Sequence, residues 1–515
     1  MSGLFIHQAV AASVRRRPGK VAVSFEGRQI TYAELWDDAC RLAGALRDGL
    51  GLGVGDRVGI MMANRPEFYV AVLAVSSAGL VVVPVPVGAT PRELEHFVTD
   101  SGMRLLVTEH KVAERLGDAL VQLSGGGLLV GVWEEPFEGG PSVADLVAGG
   151  SPTTAPVALD ESAPFFFGYT SGTTGAPKAA VVSHRARTAL ALLHGQEYGC
   201  YTVADRTLVV TPMYHSAGMS RALVPLITGG TATLHRHFDP EECVATLADG
   251  LHTGVFMVPT MFAAIFELDE TIWSKMASRA VTILSNAAAL PTYLKHRIVE
   301  AWPEVRLFEI YGSTEGGTVT SLRPEDQLRK ERCVGPPLAL TEVAIWDNDG
   351  NPVGDGEVGT LASRSPFVFT HYHGNPSATA QAIRDGWVVA GDLARRDEEG
   401  YVYIVGRSSE VVISGGVNVY PREVEEVLAA HPAVREVAVV GAPDDYWGER
   451  VHAVVVLAPG AQVTQEELTT HCRGLLAPQK IPRSYEWRDS LPRTGTGKVA
   501  KYLLVPKAPS GEKGR

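Results

Sequence analysis

The sequence contains few cysteines and no long apolar run. Only five cysteines occur among 515 residues, without a C-x-x-C pair: Cys40, Cys200, Cys243, Cys333 and Cys472. Such a sparse, odd set favours reduced thiols over a disulfide framework or a zinc site, and predicts a cytoplasmic protein. The most apolar window, Tyr69 to Val87, is interrupted by serine, glycine and proline. It therefore lacks the ~20 apolar residues of a membrane helix, and Met1 to Ala11 lack the pattern of a signal peptide.

Positive charge is also in deficit. Lysine and arginine number 46 against 58 acidic residues, which gives a formal net charge of −12. A nucleic-acid-binding protein normally carries a basic stripe along the phosphate track, so that class is excluded. Hydrophobic residues at 45% and charged residues at 20% supply enough apolar material for a large core, which excludes disorder as the dominant state.

Helical and strand patterns alternate along most of the chain and predict an α/β fold. Tyr32 to Leu50 has the apolar spacing of an amphipathic helix, and Thr31 with Glu34 matches a capping box. Helices that alternate with short apolar strands predict parallel sheets with crossover helices. Such strands are expected at 57–62, 80–85, 105–108, 128–132, 207–211, 231–234, 255–258, 282–285 and 306–310.

The character of the sequence changes after Pro336. Short alternating runs at 342–346, 359–363 and 401–405 predict an antiparallel subdomain. The last ~110 residues, from near Arg407, contain helices at 421–430 and 465–476 and strands at 434–441 and 451–457, enough for a small α+β domain. We therefore expect a large domain over residues 1–406, with two parallel-type sheets and a distorted β subdomain, and a smaller mobile domain over 407–515.

The strongest chemical signal is the run Tyr169-Thr-Ser-Gly-Thr-Thr-Gly-Ala-Pro-Lys178. Glycines let successive N–H groups converge on an anion, the hydroxyl residues add donors, and Lys178 adds a positive charge. The run predicts a phosphate-binding loop, although it lacks the spacing of a Walker A motif. A Ser/Gly linker is the alternative, but the adjoining apolar segments argue against it.

This run resembles the phosphate-loop signature of the adenylate-forming superfamily, which includes acyl-CoA synthetases, adenylation domains and luciferases. Three more motifs follow in that family's order: Tyr311-Gly-Ser-Thr-Glu315, Gly391-Asp392-Leu with Gly406-Arg407, and Pro492-Arg-Thr-Gly-Thr-Gly-Lys498. The likeness extends from about Phe5 to Lys501. It implies an acid:CoA ligase that uses ATP, Mg²⁺ and CoA, acts on a small carboxylic acid as a monomer or homodimer, and needs neither nucleic acid nor a membrane span.

The resemblance also implies roles for individual residues. Glu315 is the magnesium ligand, and a hard carboxylate oxygen suits that ion. Lys498 contacts the carboxylate and the α-phosphate, and His215 is the gate beside the acyl pocket. Thr174 is a further catalytic position. The nucleotide, phosphate and CoA positions are Thr170, Ser171, Gly172, Thr173, Gly175, Lys178, Ala287, Ala288, Glu309, Ile310, Tyr311, Gly312, Thr314, Asp392, Ile404, Arg407 and Gly416. Among them, Tyr311 is expected to stack on adenine, Asp392 to accept both ribose hydroxyls, and Gly416 to border the pantetheine path.

The sequence departs from the family pattern around the acyl pocket. Ser285-Asn-Ala-Ala-Ala-Leu290 stands where two glycines are common. The extra side-chain volume of Asn286 and Ala287 predicts a shorter pocket, or one that accepts a polar acid. Ser409, Val417 and Ala179 also differ from the usual residues at the hinge, the CoA segment and the phosphate loop.

The acceptor remains open at this stage: transfer to a carrier protein, an amine or another nucleophile is the alternative to CoA. A nucleotide-binding pseudoenzyme is a third interpretation, but it conflicts with the presence of Lys178, Glu315, Asp392, Arg407 and Lys498.

Overall fold

The computed structural model describes residues 3–137, 140–152, 157–170, 177–493 and 499–506. Several of its helices begin at a residue whose side chain caps the first turn, and Thr31 with Glu34 forms the predicted capping box. The helices are α1 Ile6–Arg16, α2 Tyr32–Gly44, α3 Pro66–Ser77, α4 Pro91–Ser101, α5 His110–Gly125, α6 Val143–Gly149, α7 His184–Glu197, α8 Ser216–Thr228, α9 Pro240–Ala248, α10 Pro259–Phe266, α11 Glu270–Trp273, α12 Thr292–Ala301, α13 Pro376–Ala382, α14 Pro421–Ala429 and α15 Gln465–Arg473.

Each predicted strand lies within a few residues of an observed strand, and the structure adds several strands that the sequence did not predict. The observed strands are β1 Val21–Phe25, β2 Arg28–Thr31, β3 Arg57–Met61, β4 Val81–Pro84, β5 Leu105–Thr108, β6 Leu129–Val132, β7 Pro164–Thr170, β8 Lys178–Ser183, β9 Arg206–Val209, β10 Thr231–Leu234, β11 Gly254–Met257, β12 Thr282–Ser285, β13 Arg306–Ser313, β14 Gly317–Leu322, β15 Glu342–Trp346, β16 Gly359–Arg364, β17 His371–Tyr372, β18 Ile383–Arg384, β19 Trp387–Arg396, β20 Val402–Arg407, β21 Val412–Ser414, β22 Val417–Val419, β23 Val434–Asp444, β24 Gly448–Leu457 and β25 Ser484–Trp487.

Two large sheets form the predicted α/β body. One has the order β17-β8-β7-β4-β3-β5-β6, and its strands from β7 to β6 are parallel. The other has the order β14-β13-β12-β11-β9-β10-β1-β2, with antiparallel strands at both ends. Helix α3 is buried on nearly every side, which explains why its sequence is apolar throughout. No helix among the described residues has the length and apolar character needed to cross a membrane.

The later strands form two smaller sheets. Strands β15, β16, β18, β19 and β20 make the predicted antiparallel subdomain. Strands β21 to β25, residues 412–487, form a separate sheet covered by α14 and α15. Strand β20 ends at Arg407, where the sequence predicts the start of the last domain.

Several predicted boundaries are wrong. The helix expected over 32–50 ends as an α-helix at Gly44 and continues as one π-helical segment, Ala45–Gly49. The helix expected over 465–476 ends at Arg473, and Gly474 is its C-cap residue. The strand expected over 306–310 continues to Ser313, since its partner β14 folds back antiparallel and pairs with those residues.

Candidate active site

The predicted phosphate loop connects two antiparallel strands. Strand β7 ends at Thr170, strand β8 begins at Lys178, and the two residues are register partners. The structure therefore places the two ends of the loop side by side. The predicted residues Ser171, Gly172, Thr173, Thr174 and Gly175 lie outside the described residues.

Glu315 lies beside the base of this loop. Its Oε1 accepts hydrogen bonds from Thr170 Oγ1 at 3.1 Å and from Tyr372 Oη at 2.7 Å, and the residue is 7% exposed. The ammonium of Lys178 lies 5.7 Å from the centre of the Tyr372 ring. Burial, followed by the nearby Glu315 charge, raises the pKa of Tyr372, so its hydroxyl stays a donor.

The turn that carries Glu315 is tight. It joins β13 to β14, where Gly312 pairs with Thr318 and Ser313 pairs with Gly317. A Cβ atom on Gly312 would lie 2.1 Å from the carbonyl oxygen of Gly317, so only glycine fits there. The methyl group of neighbouring Thr314 packs closely on β7. A Cβ atom on Gly168 of that strand would lie only 2.4 Å from this methyl group.

Asp392 is the centre of a second cluster. One carboxylate oxygen accepts a hydrogen bond from Tyr311 Oη at 2.7 Å, and the other lies 3.1 Å from Arg407 Nε. Burial, reinforced by the Asp392 charge, raises the pKa of Tyr311 far above its ordinary range. Burial alone would lower the pKa of Arg407, but Asp392 and Tyr311 outweigh it and raise the pKa. Ile404 packs with Tyr311 against the small antiparallel core.

The side chains of Glu309 and Ile310 point into the protein. Glu309 is 3% exposed and forms an ion pair with Lys295 of α12 at 2.7 Å, and Ile310 is buried in the main core. Their predicted nucleotide contacts can therefore come only from backbone atoms. The sequence did not indicate the ion pair, whose partners lie on different elements.

The segment after β12 has an unusual backbone conformation. Ala287 has φ of +73°, in the left-handed region that favours glycine. Its N–H donates to Asn286 Oδ1 at 2.5 Å. Ala287 and Ala288 are exposed at the end of the strand.

The remaining predicted residues are more scattered. His215 is the N-cap residue of α8, and its ring centre lies 4.8 Å from that of Tyr214. Gly416 has φ of +80°, and no atom lies within 4 Å of the place a Cβ would take. Lys498 lies outside the described residues.

The donor set fits Mg²⁺. No group of three or more His, Cys, Asp or Glu side chains within the described residues forms a metal cluster. Mg²⁺ is usually held by one or two carboxylates together with substrate phosphates. Glu315, positioned by two hydroxyl groups beside the phosphate loop, is such a carboxylate.

Family comparison identifies the chain. The "AMP-binding enzyme" family matches residues 10–373, and the "AMP-binding enzyme C-terminal domain" matches residues 423–498. The chain belongs to the AMP-binding enzyme family. This AMP-binding enzyme is 35% identical over 497 residues to a feruloyl-CoA synthase of Amycolatopsis sp, covering 95% of this chain and 96% of the relative.

Solved structures agree with this assignment. ATP-bound MatB from Rhodopseudomonas palustris is 30% identical, with a TM-score of 0.86, over 97% of this chain and 98% of that chain. The o-succinylbenzoate coenzyme A synthetase MenE from Bacillus subtilis, in complex with ATP and magnesium ion, is 28% identical, with a TM-score of 0.86, over 96% and 98%. The predicted family, the α/β fold class, and the use of ATP, Mg²⁺ and CoA are confirmed at the level of the family.

Tyr372 contacts Glu315 in this AMP-binding enzyme but is absent from the predicted site residues. In the sequence it stands in the run His371-Tyr-His373, which carries no motif of the family resemblance. Strand β17 pairs with β8 and brings the Tyr372 hydroxyl to Glu315. No local pattern announces this contact, since the residues are 57 positions apart.

Proposed function

We propose that this enzyme activates a carboxylic acid with ATP and transfers the acyl group to CoA. The observation that carries the proposal is the arrangement of Glu315, which contacts the base of the phosphate loop, and of the Tyr311–Asp392–Arg407 cluster. Tyr311 belongs to β13, and Glu315 lies in the turn that follows this strand, whereas Asp392 and Arg407 come from β19 and β20. Strand β13 and its turn thereby contribute to both the phosphate-binding and the ribose-binding groups.

The proposed reaction has two steps. A carboxylate oxygen of the acid attacks the α-phosphorus of ATP, the bond to the β-phosphate oxygen breaks, and pyrophosphate leaves. The CoA thiolate then attacks the acyl carbonyl, the acyl–phosphate bond breaks, and AMP leaves. Glu315 would hold Mg²⁺, which when bound would supply positive charge that neutralises the phosphates. The protein contributes by positioning: Asp392 accepts from ribose hydroxyls, and Lys178 balances phosphate charge.

We also propose the domain division at residues 406 and 407, with a reorientation of the last domain between the two steps. The strands over 412–487 pair only with one another in the described part of the chain. Few polar contacts join them to the rest, such as Arg422 Nη1 to the Ile404 carbonyl at 2.9 Å and Thr292 Oγ1 to Glu426 at 3.0 Å. Residues 408–410 are a short 3₁₀ turn suited to a hinge.

Pyrophosphate release with a panel of carboxylic acids tests the proposal. We expect release that depends on ATP, on Mg²⁺ and on the acid, and a thioester once CoA is added. Acyl-adenylate that accumulates with CoA, but is consumed by an amine or a carrier protein, would overturn CoA as the acceptor. If no acid supports release, the proposed activity itself is wrong.

Weakening the support of Glu315 should raise the requirement for magnesium. Tyr372→Phe removes a hydroxyl that donates to the carboxylate, so the Mg²⁺ concentration for half-maximal pyrophosphate release should rise roughly 10-fold. Glu315→Gln should have a larger effect, because it removes the charge itself. Tyr446→Phe, at an exposed tyrosine, is the control. Equal turnover of Glu315→Gln and the unmodified enzyme at limiting Mg²⁺ would contradict this role.

The segment after β12 should limit acyl length. Side chains at Asn286 and Ala287 occupy volume that two glycines would leave open, so we expect short, medium or aromatic acids to be preferred over palmitate. Each excluded methylene costs ~1–3 kcal/mol in discrimination. The double variant Asn286→Gly/Ala287→Gly should gain activity on longer acids, measured as kcat/KM by pyrophosphate release. Palmitate turned over better than every aromatic and medium-chain acid would contradict the expectation.

A further inference from the structure

Two arginines are buried beside the site without an acidic partner. Arg187 lies on α7 and Arg221 on α8, and each is 5% exposed. Within the described residues, neither guanidinium forms an ion pair with Asp or Glu, although ion pairs are common elsewhere in the molecule. Removing a charge from water without a counter-ion costs several kcal/mol, so such an arrangement needs an explanation.

The two arginines contact hydroxyl groups and aromatic rings. Arg187 stacks on Phe166 at 4.4 Å and donates from Nη2 to Ser216 Oγ at 3.3 Å. Arg221 donates from Nη2 to Thr318 Oγ1 at 3.3 Å and from Nη1 to neighbouring Ser220 Oγ at 3.4 Å. The Nε atoms of both arginines are buried without a hydrogen-bond partner. Each guanidinium carries five N–H donors, and much of this hydrogen-bonding capacity is therefore unused.

In the part of the chain that the structure describes, no ion pair balances the two charges. Burial, with the neighbouring Arg221 charge, lowers the pKa of Arg187 to about 9, so it remains protonated at neutral pH. His194 is fully buried against the same Thr318 hydroxyl at 3.1 Å. Burial and the two arginines lower the pKa of His194 well below its ordinary value, so it is neutral. Two positive charges consequently remain in one buried cluster.

The cluster contacts two segments that also carry residues of the candidate active site. Ser216, which contacts Arg187, follows the gate residue His215 and begins α8. Thr318, which contacts Arg221, is the register partner of Gly312 in the Glu315 hairpin. The positive end of the 13-residue helix α8 thus lies beside the guanidinium of Arg187. Single hydrogen bonds thus connect the two guanidinium groups to the residue after His215 and to the hairpin that carries Glu315.

We propose that Arg187 and Arg221 bind a second carboxylate of the acid substrate, so that this enzyme prefers dicarboxylic acids. The inference rests on the proposed acid activation and names its substrate class. A guanidinium offers paired N–H donors whose geometry matches a carboxylate, and two of them around one anion would satisfy groups that are otherwise unpaired.

Pairs of acids that differ by one terminal group test the proposal. Glutarate is compared with pentanoate, adipate with hexanoate, and terephthalate with 4-methylbenzoate, by pyrophosphate release. We expect kcat/KM to be about 100-fold higher for at least one dicarboxylate than for its partner, because a monocarboxylate leaves buried donors unpaired. Dicarboxylates should also raise the melting temperature of the protein without ATP.

Variants of Arg187 and Arg221 test whether these residues cause the preference for dicarboxylates. Arg187→Met and Arg221→Met should each lower the dicarboxylate-to-monocarboxylate ratio of kcat/KM about 100-fold. Their melting temperatures should not fall, because an unpaired buried charge is removed. Arg221→Lys, which keeps the charge, should lower the ratio by a smaller factor and serves if a methionine variant does not fold. Arg297→Met is the control for the loss of an arginine that stacks on a ring, since the exposed Arg297 stacks on Phe266 at 4.5 Å.

The possible outcomes distinguish the anion site from the proposed acid activation. Activity confined to monocarboxylates, with ratios unchanged in Arg187→Met and Arg221→Met, would overturn the anion site and leave acid activation intact. A fall in stability of both variants with no change in the ratio would show that the arginines serve packing. If no acid of either class supports pyrophosphate release, acid activation and the anion site are both wrong.

Discussion

Lys498→Ala is expected to slow acyl-adenylate formation by roughly 10²–10³-fold, the cost of losing one preorganised electrostatic contact to the transition state. The physical reason is that negative charge develops on the α-phosphoryl oxygens as the carboxylate attacks, and the family resemblance places this lysine there. The same variant should still convert supplied acyl-AMP and CoA to the thioester at nearly the normal rate. Pyrophosphate release and thioester formation are therefore measured separately.

Gly416→Leu should give the opposite result. Open space surrounds the Cβ position of Gly416, so a leucine there would extend into the expected pantetheine path and block thioester formation while sparing pyrophosphate release. Gly460→Leu is the control, because Gly460 also has positive φ, +74°, and open space around its Cβ position. Equal damage to both steps in Lys498→Ala and Gly416→Leu would show that one arrangement of the domains serves both steps.

Lys295→Met is expected to lower the free energy of unfolding by about 3–5 kcal/mol, because it leaves the Glu309 carboxylate buried without its counter-ion. Lys295 Nζ and Glu309 Oε2 lie 2.7 Å apart, and neither has another hydrogen-bond partner among the described residues. The pair fastens α12 to β13, the strand that carries Tyr311. Urea unfolding followed by tryptophan fluorescence measures the change, since Trp302 is buried at the end of α12.

Two further variants test whether the unpaired Glu309 charge causes the loss of stability in Lys295→Met. The double variant Lys295→Met/Glu309→Met should recover most of the lost stability, because two apolar groups of similar size replace the ion pair. Arg396→Met, which breaks the exposed pair with Asp355, should cost at most ~1 kcal/mol. A loss in Lys295→Met no larger than in Arg396→Met would mean that the Glu309 charge is relieved in another way.

The sequence could predict those parts of the fold and site that local patterns encode. The capping box at Thr31, the apolar strands and the parallel architecture follow from periodicity and composition. The meeting of Tyr311, Asp392 and Arg407 followed from motif order within a known family, and the structure brings these side chains together.

The unpredicted parts depend on contacts between distant segments. Tyr372 reaches Glu315 because β17 adds to the edge of β8, and nothing in a histidine-tyrosine-histidine run indicates that pairing. Arg187 and Arg221 appear as ordinary charged residues of two helices, and their burial arises only when α7 packs on α8. Helix propensity does not distinguish a surface arginine from a buried one.

Strand β1 has a consequence for synthesis on the ribosome. This strand, Val21–Phe25, pairs with β10 in its sheet, and Val23 lies opposite Ala232. At ~5–20 residues per second, about 10–40 s pass between the emergence of these two residues. During that interval β1, which includes Phe25, has no partner strand except β2, with which it forms a hairpin. The nascent chain is thus exposed to misassociation at its N-terminal end, and a chaperone that binds early-emerging hydrophobic segments would raise the yield of folded enzyme.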